Sequence, residues 1–174
     1  PKTSSAASDV YKRQLQEQSQ EGGQSKHFLR TGDLGFIHQK QLYVTGRSKD
    51  LIIIGGRNHY PQDIEFSVLK AHPFIVGCQA AAFSVDFDSE EHLVVMLYIN
   101  ARILEEIEVT DIVPLVKRAI AREHGISLHN LMITSSRLPL TSSGKIQRRK
   151  SKQMYLYGGF DVVFELLKEG AING

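Results

Sequence analysis

Leu51-Ile52-Ile53-Ile54-Gly55-Gly56-Arg57-Asn58-His59-Tyr60-Pro61-Gln62-Asp63-Ile64-Glu65 is the stretch on which the reading of this chain turns. The apolar, mostly β-branched run 51–54 halts at a glycine pair, which predicts a buried strand entering a tight loop. Beyond Pro61, Ile64, Val68 and Leu69 fall at helical spacing. Residues 63–70 therefore read as a short helix, with Asp63 and Glu65 favourably placed near its positive N-terminus.

Working outward, Gly35-Phe36-Ile37-His38 and Gln41-Leu42-Tyr43-Val44-Thr45 flank a short polar turn, the pattern of a β-hairpin. Downstream, residues 74–85 and 92–99 are strand-like, separated by the acidic segment 86–91. Thr110 and Asp111 are candidate caps for a helix whose apolar positions Ile112, Leu115, Val116, Ala119 and Ile120 repeat near the 3.6-residue period, and Gly125 ends it. Leu131-Met132-Ile133 reads as a strand, a polar loop follows at 141–144, and the chain turns helical again from Ile146. This order predicts a small α+β domain, a short sheet covered by helices.

Composition narrows the function classes. A chain of 174 residues with 41% hydrophobic content can bury a real core. A net charge of +2 with alternating signs argues against a dedicated nucleic-acid surface, and Arg148-Arg149-Lys150 reads as a solvated helix face. The single Cys78 sits in an apolar stretch and reads as a small buried hydrophobe in a reducing compartment. The seven histidines show no metal-ligand spacing. No apolar run approaches the roughly 20 residues that span a bilayer, so no transmembrane segment is expected. The expected compartment is the cytoplasm.

The first segment reads differently. Ser4-Ser5-Ala6-Ala7-Ser8-Asp9-Val10-Tyr11-Lys12-Arg13-Gln14 resembles the translation of a sequencing adapter, so residues 1–14 are expected to be a non-native leader with the natural protein continuing upstream. Residues 15–26, rich in Gln, Ser, Glu and Gly, read as a surface loop.

Three segments carry chemistry. In Arg30-Thr31-Gly32-Asp33-Leu34-Gly35, a carboxylate in a turn is acceptor-only and suited to gripping neighbouring hydroxyls such as those of a ribose, although Asp and Gly are also ordinary turn residues. In Gly46-Arg47-Ser48-Lys49-Asp50, charges packed between two strands suit either a hinge or a plain interstrand loop. In Leu138-Pro139-Leu140-Thr141-Ser142-Ser143-Gly144-Lys145-Ile146, a lysine stands on a flexible, hydroxyl-rich loop before a helix. A phosphate-binding P-loop is excluded there, because Pro139 and Ile146 occupy positions that need Gly and Ser/Thr. A mobile ammonium or an exposed surface lysine remains.

Together these segments resemble the adenylate-forming superfamily of acyl-CoA synthetases, peptide-synthetase adenylation domains and luciferases. The string 57–65 looks most like the fatty-acyl-AMP ligases, although Arg is commoner than Gly at Gly55 or Gly56 and a basic residue is common at Leu140. The resemblance implies that Asp33 and Arg47 hold the ribose and phosphate side of ATP, and that Lys49 is the hinge of a C-terminal lid. Lys145 would be the catalytic lysine of the adenylation step, and Gly55 and Gly56 an acceptor-side loop. It implies a fatty acid and ATP as substrates, Mg2+ without an identifiable ligand here, and the phosphopantetheine arm of an acyl carrier protein as acceptor. It places residues 15–48 at the end of a large AMP-binding domain, otherwise missing, and residues 49–174 in the lid. The competing readings are an acyl-CoA ligase or peptide-synthetase adenylation domain, and a non-catalytic regulatory homologue.

Overall fold

The computed structural model describes residues 14–17, 26–29 and 31–166, with side chains described from Thr31 onward. Most of the adapter-like leader therefore lies outside the described residues. The chain divides into two units, 1–49 and 50–174.

In the first unit, β1 (Gln14–Glu17) pairs antiparallel with β2 (Lys26–Leu29), so part of the segment expected to be a surface loop is paired strand. The predicted hairpin follows as β3 (Asp33–His38) and β4 (Gln41–Arg47). Its turn residues, Gln39 and Lys40, have φ of 48° and 63°, the left-handed pair of a tight hairpin turn. Phe36 stacks on Tyr43 with ring centroids 5.2 Å apart.

The second unit is built on a four-stranded sheet. A small hairpin comes first, β5 (Ile52–Ile54) and β6 (Arg57–His59), turning at Gly55-Gly56. The expected buried strand is buried only at Ile52, while Ile53 is exposed, because a two-stranded hairpin leaves one face open. Helix α1 (Pro61–Lys70) begins two residues earlier than the periodicity suggests, since Pro at the first helical position has its φ already set.

Residues 73–75 form a 3-10 turn, contrary to the strand expected from 74, and β7 (Gln79–Phe87) starts only after Cys78. The acidic segment is not a loop. Strand β7 runs into β8 (Glu90–Tyr98) through a two-residue turn at Asp88 and Ser89, both at positive φ. A short helix α2 (Ala101–Leu104) and the long α3 (Val109–His124) then cross over to β9 (Leu128–Thr134), which lies parallel to β8. Thr110 and Asp111 sit inside the first turn of α3, not at its cap, which is Glu108. Gly125 ends the helix at φ 67°, as its residue type suggests. Helix α4 (Arg148–Tyr157) precedes β10 (Val162–Leu166), an unanticipated strand that pairs antiparallel with β9 at the sheet edge.

Strand alternation sends the two faces of this sheet to different cores. Ala80, Ala82, Leu93, Val95, Leu97, Leu131 and Ile133 face α1 and α3, meeting Ile64, Val68, Ile112, Val116 and Ile120. Ala81, Phe83, Val85, Val94, Met96 and Met132 face the other way, where Tyr155 of α4 packs edge-on against Phe83. Helices on both faces of a mixed sheet give the α+β class that the sequence implies. No helix of the described residues is long and apolar enough to cross a membrane.

Candidate functional site

In the first unit, the β3–β4 register sets Asp33 directly opposite Arg47. The Arg47 Nε lies 3.3 Å from Asp33 Oδ1, with side chains 71% and 37% exposed. A pair this open contributes at most about 1 kcal/mol, so it leaves both groups accessible to a ligand. The backbone holds them in place. Gly32 has φ 77°, and its carbonyl accepts from the Ser48 N–H at 2.8 Å and the Ser48 hydroxyl at 3.1 Å. The Asp33 N–H donates to Thr31 Oγ1 at 3.1 Å. Thr45 is the extra residue of a bulge, and at Gly35 a Cβ would stand 2.5 Å from the Tyr43 carbonyl oxygen. Glycine is required there because the strands approach too closely for a side chain. Two segments that the sequence offers separately thus form one ledge. Lys49 is exposed, in the 3-10 turn Ser48–Asp50.

In the second unit, Gly55 and Gly56 make the β5–β6 turn at φ 56° and 73°, with nothing within 4 Å of a Cβ at either. Gly55 borders a cleft of about 650 Å³ lined also by Ile54, Arg57, Glu90, His92 and Gly125. Lys145 does not line it.

Lys145 sits on a hydrogen-bonded turn. The Thr141 N–H donates to the Lys145 carbonyl at 2.8 Å, and the Lys145 N–H returns to Thr141 Oγ1 at 3.0 Å. The Gly144 N–H donates to the Thr141 carbonyl, and Leu140 and Ile146 form an antiparallel bridge below. Residues 141–145 are all exposed, so the Lys145 side chain stands at the surface of the turn. It enters no ion pair among the described residues.

Sequence reasoning missed what stands beneath this turn. Arg148, expected on a solvated face, is largely buried, and its guanidinium makes a two-pronged contact with Glu65 at 2.6 Å for each bond. Asp50 Oδ2 lies 3.8 Å from its third nitrogen. Glu65, placed near the helix N-terminus as expected, faces inward and also accepts from the Ala82 N–H at 3.0 Å. Burial pushes the Glu65 carboxyl pKa up, against the pull of the guanidinium and the amide. Burial works to lower the Arg148 pKa, but its bonds and charge contact with Glu65, and Asp50, carry it upward overall. All three groups bonded to the Glu65 carboxyl are donors, which suits the ionised carboxylate. A sequence signal existed: Pro61, Ile64, Glu65 and Val68 share one helical stripe, so Glu65 lies on the apolar face.

A serine, a histidine and a glutamate also meet between α1 and α3. The buried Ser67 hydroxyl lies 2.8 Å from His124 Nε2 and 2.5 Å from Glu123. The glutamate bonds the serine and no bond joins it to the imidazole, so the order of a hydrolase relay is not met. Among the described residues no three His, Cys, Asp or Glu side chains converge on a metal position.

Residues 49–163 match the Disco-interacting protein 2-like AMP domain. The chain is 41% identical over 135 residues to the medium-chain-fatty-acid–acyl-carrier-protein ligase JamA of Moorena producens (strain JHB), covering 77% of this chain and 23% of that protein. It is 36% identical over 151 residues to the long-chain-fatty-acid–AMP ligase FadD32 of Mycolicibacterium smegmatis, covering 75% and 24%. It also superposes on the fatty acid AMP ligase of Legionella pneumophila with a TM-score of 0.55 and 35% identity, over 85% of this chain and 26% of that one. The chain thus spans about a quarter of the length of the curated relatives it matches. The matched span takes in the Gly55-Gly56 hairpin, the sheet and the Lys145 turn, and the chain belongs to the Disco-interacting protein 2-like AMP-domain family of the adenylate-forming superfamily.

Proposed function

We propose that this chain is the C-terminal part of a fatty-acyl-AMP ligase, which joins a fatty acid to ATP as acyl-AMP with release of pyrophosphate. The acyl group then passes to the phosphopantetheine arm of an acyl carrier protein. The observation that carries the reading is Lys145, an exposed ammonium held by a closed turn in a chain of this family.

In this reading Asp33 accepts the vicinal hydroxyls of the ribose, and Arg47 beside it steadies that carboxylate and faces the phosphate side. The exposure of both leaves room for a nucleotide. A fatty carboxylate attacking the α-phosphate brings two anionic groups together and builds further charge on the phosphoryl oxygens. A lysine delivered into a water-poor site bridges them, where such stabilisation is strongest. Residues 49–174 act as the lid that carries Lys145, with Lys49 as its hinge, so the lysine is present for adenylation and withdrawn for transfer. Gly55 and Gly56 then stand on the acceptor side. The protein works in the cytoplasm, with Cys78 as a thiol.

The test uses the full-length enzyme carrying this sequence. Lys145→Ala abolishes fatty-acid-dependent ATP–pyrophosphate exchange yet leaves acyl transfer from supplied acyl-AMP largely intact. Equal loss of both steps contradicts the assigned role. Efficient thioester formation with free coenzyme A contradicts the carrier-protein acceptor.

A further inference from the structure

We propose that Arg148 is a positioning residue for Lys145: held by Glu65 and Asp50, it fixes one foot of the lysine-bearing turn to the first residue of the second unit. The catalytic consequence rests on the reading of Lys145 given above.

The geometry points to this because the turn itself touches so little. Residues 141–145 are exposed, and nothing lies within 4 Å of a Cβ built at Gly144. The position of the ammonium is therefore set by the two feet of the turn. The first foot is apolar: Leu138 is buried, and its N–H donates to Gln79 Oε1 at 3.1 Å. The second foot is ionic. The Gln147 N–H donates to the Pro139 carbonyl at 2.9 Å, closing the stalk, and the next residue is Arg148.

That guanidinium meets Glu65 of α1 through two bonds, and Glu65 in turn holds the Ala82 N–H of β7. Its third nitrogen faces Asp50, which adjoins Lys49 in sequence. A planar fork fixes direction as well as distance, which a point charge does not. The network thus joins the start of the unit, α1, the edge strand and the lysine turn through one side chain. The network gives a rotation that begins at residue 50 a connected path to the foot of the Lys145 turn. A reacting group misplaced by about 1 Å can lose on the order of 100-fold in rate, so a loosened foot matters even where the fold survives.

The experiment compares Arg148→Lys, which keeps the charge and loses the fork, with Lys145→Ala and the wild type. In the full-length enzyme, Arg148→Lys lowers kcat for ATP–pyrophosphate exchange by about tenfold or more. KM for ATP and fatty acid, and transfer from supplied acyl-AMP, stay within about twofold. In the 174-residue chain, the backbone 1H–15N heteronuclear NOE at residues 141–146 falls, while values through β7 and the end of α4 hold. Should Arg148→Lys not fold, Glu65→Gln, which keeps an acceptor oxygen, shows the same changes in smaller measure.

An unchanged NOE in the turn overturns the anchoring itself, whatever the activity. A parallel loss of both half-reactions marks a merely structural pair and also overturns the proposal. So does full adenylation by Arg148→Lys where Lys145→Ala abolishes it. If Lys145→Ala itself adenylates normally while the NOE falls as expected, the anchoring stands and the proposed role of Lys145 is refuted.

Discussion

Replacing Glu65 with alanine perturbs the second unit more than a single exposed-looking glutamate suggests. Three bonds are lost together: two from the Arg148 guanidinium at 2.6 Å and one from the Ala82 N–H at 3.0 Å. Strand β7 is at the end of the four-stranded sheet, so the Ala82 amide has no further strand to pair with. Breaking a buried ion pair from one side destabilises by about 3–5 kcal/mol, because the remaining charge is left uncompensated. Here the Arg148 side chain is 21% exposed and Asp50 stays 3.8 Å away, which relieves part of that charge. The expected loss is therefore about 2–4 kcal/mol. Glu65→Gln, still an acceptor, loses about 1–2 kcal/mol.

The assay is urea unfolding followed by far-UV circular dichroism, since the chain has no tryptophan. A double mutant makes the reasoning sharper. Glu65→Ala with Arg148→Met removes both charges, so the pair of changes destabilises by less than the two single effects added together. Additivity within about 0.5 kcal/mol would show that the two residues do not interact and would refute the account. A loss below about 1 kcal/mol for Glu65→Ala refutes it equally, as a surface residue would give that value.

Three other outcomes follow from the geometry. At the Gly55-Gly56 turn, Gly56→Ala destabilises by about 1–2 kcal/mol in the same urea assay, because a Cβ is strained at φ 73°. Gly55→Asn is better tolerated there, since asparagine accepts such angles. His59 is buried, and burial, His124 and Arg57 all lower its pKa from the usual 6.5. A depressed folded-state pKa means the unfolded chain binds the proton first, so the His59 contribution is fully present above pH 6.5 and declines as pH falls below it. His59→Phe flattens that part of a stability–pH profile; an unchanged slope contradicts the assignment. Ile120→Ala, at 0% exposure between α3 and the sheet, destabilises by about 2–5 kcal/mol in thermal or urea unfolding.

Much of the fold was legible because it is local. The amphipathic repeat of α3 and its Gly125 stop follow from the residues themselves, as does the strand–glycine–helix order at 52–70. Where the local signal was weak, the reading slipped. Asp88-Ser89 makes the same kind of tight turn as Gly55-Gly56, yet only glycine announces a positive φ from sequence. The acidic residues around Asp88 therefore read as a loop when most of them lie in paired strands.

By itself, the sequence determined the chemistry carried by each segment: a carboxylate and a guanidinium near residues 33 and 47, a glycine pair at 55–56, and a lysine at 145. Tertiary structure alone decided that Asp33 faces Arg47 across a bulged hairpin. It also decided that Glu65 and Arg148, 83 residues apart, leave solvent to meet beneath the lysine turn. The reason is physical. A helix period shows which residues share a face, but the cost of burying a charge depends on a partner that only the packed chain supplies.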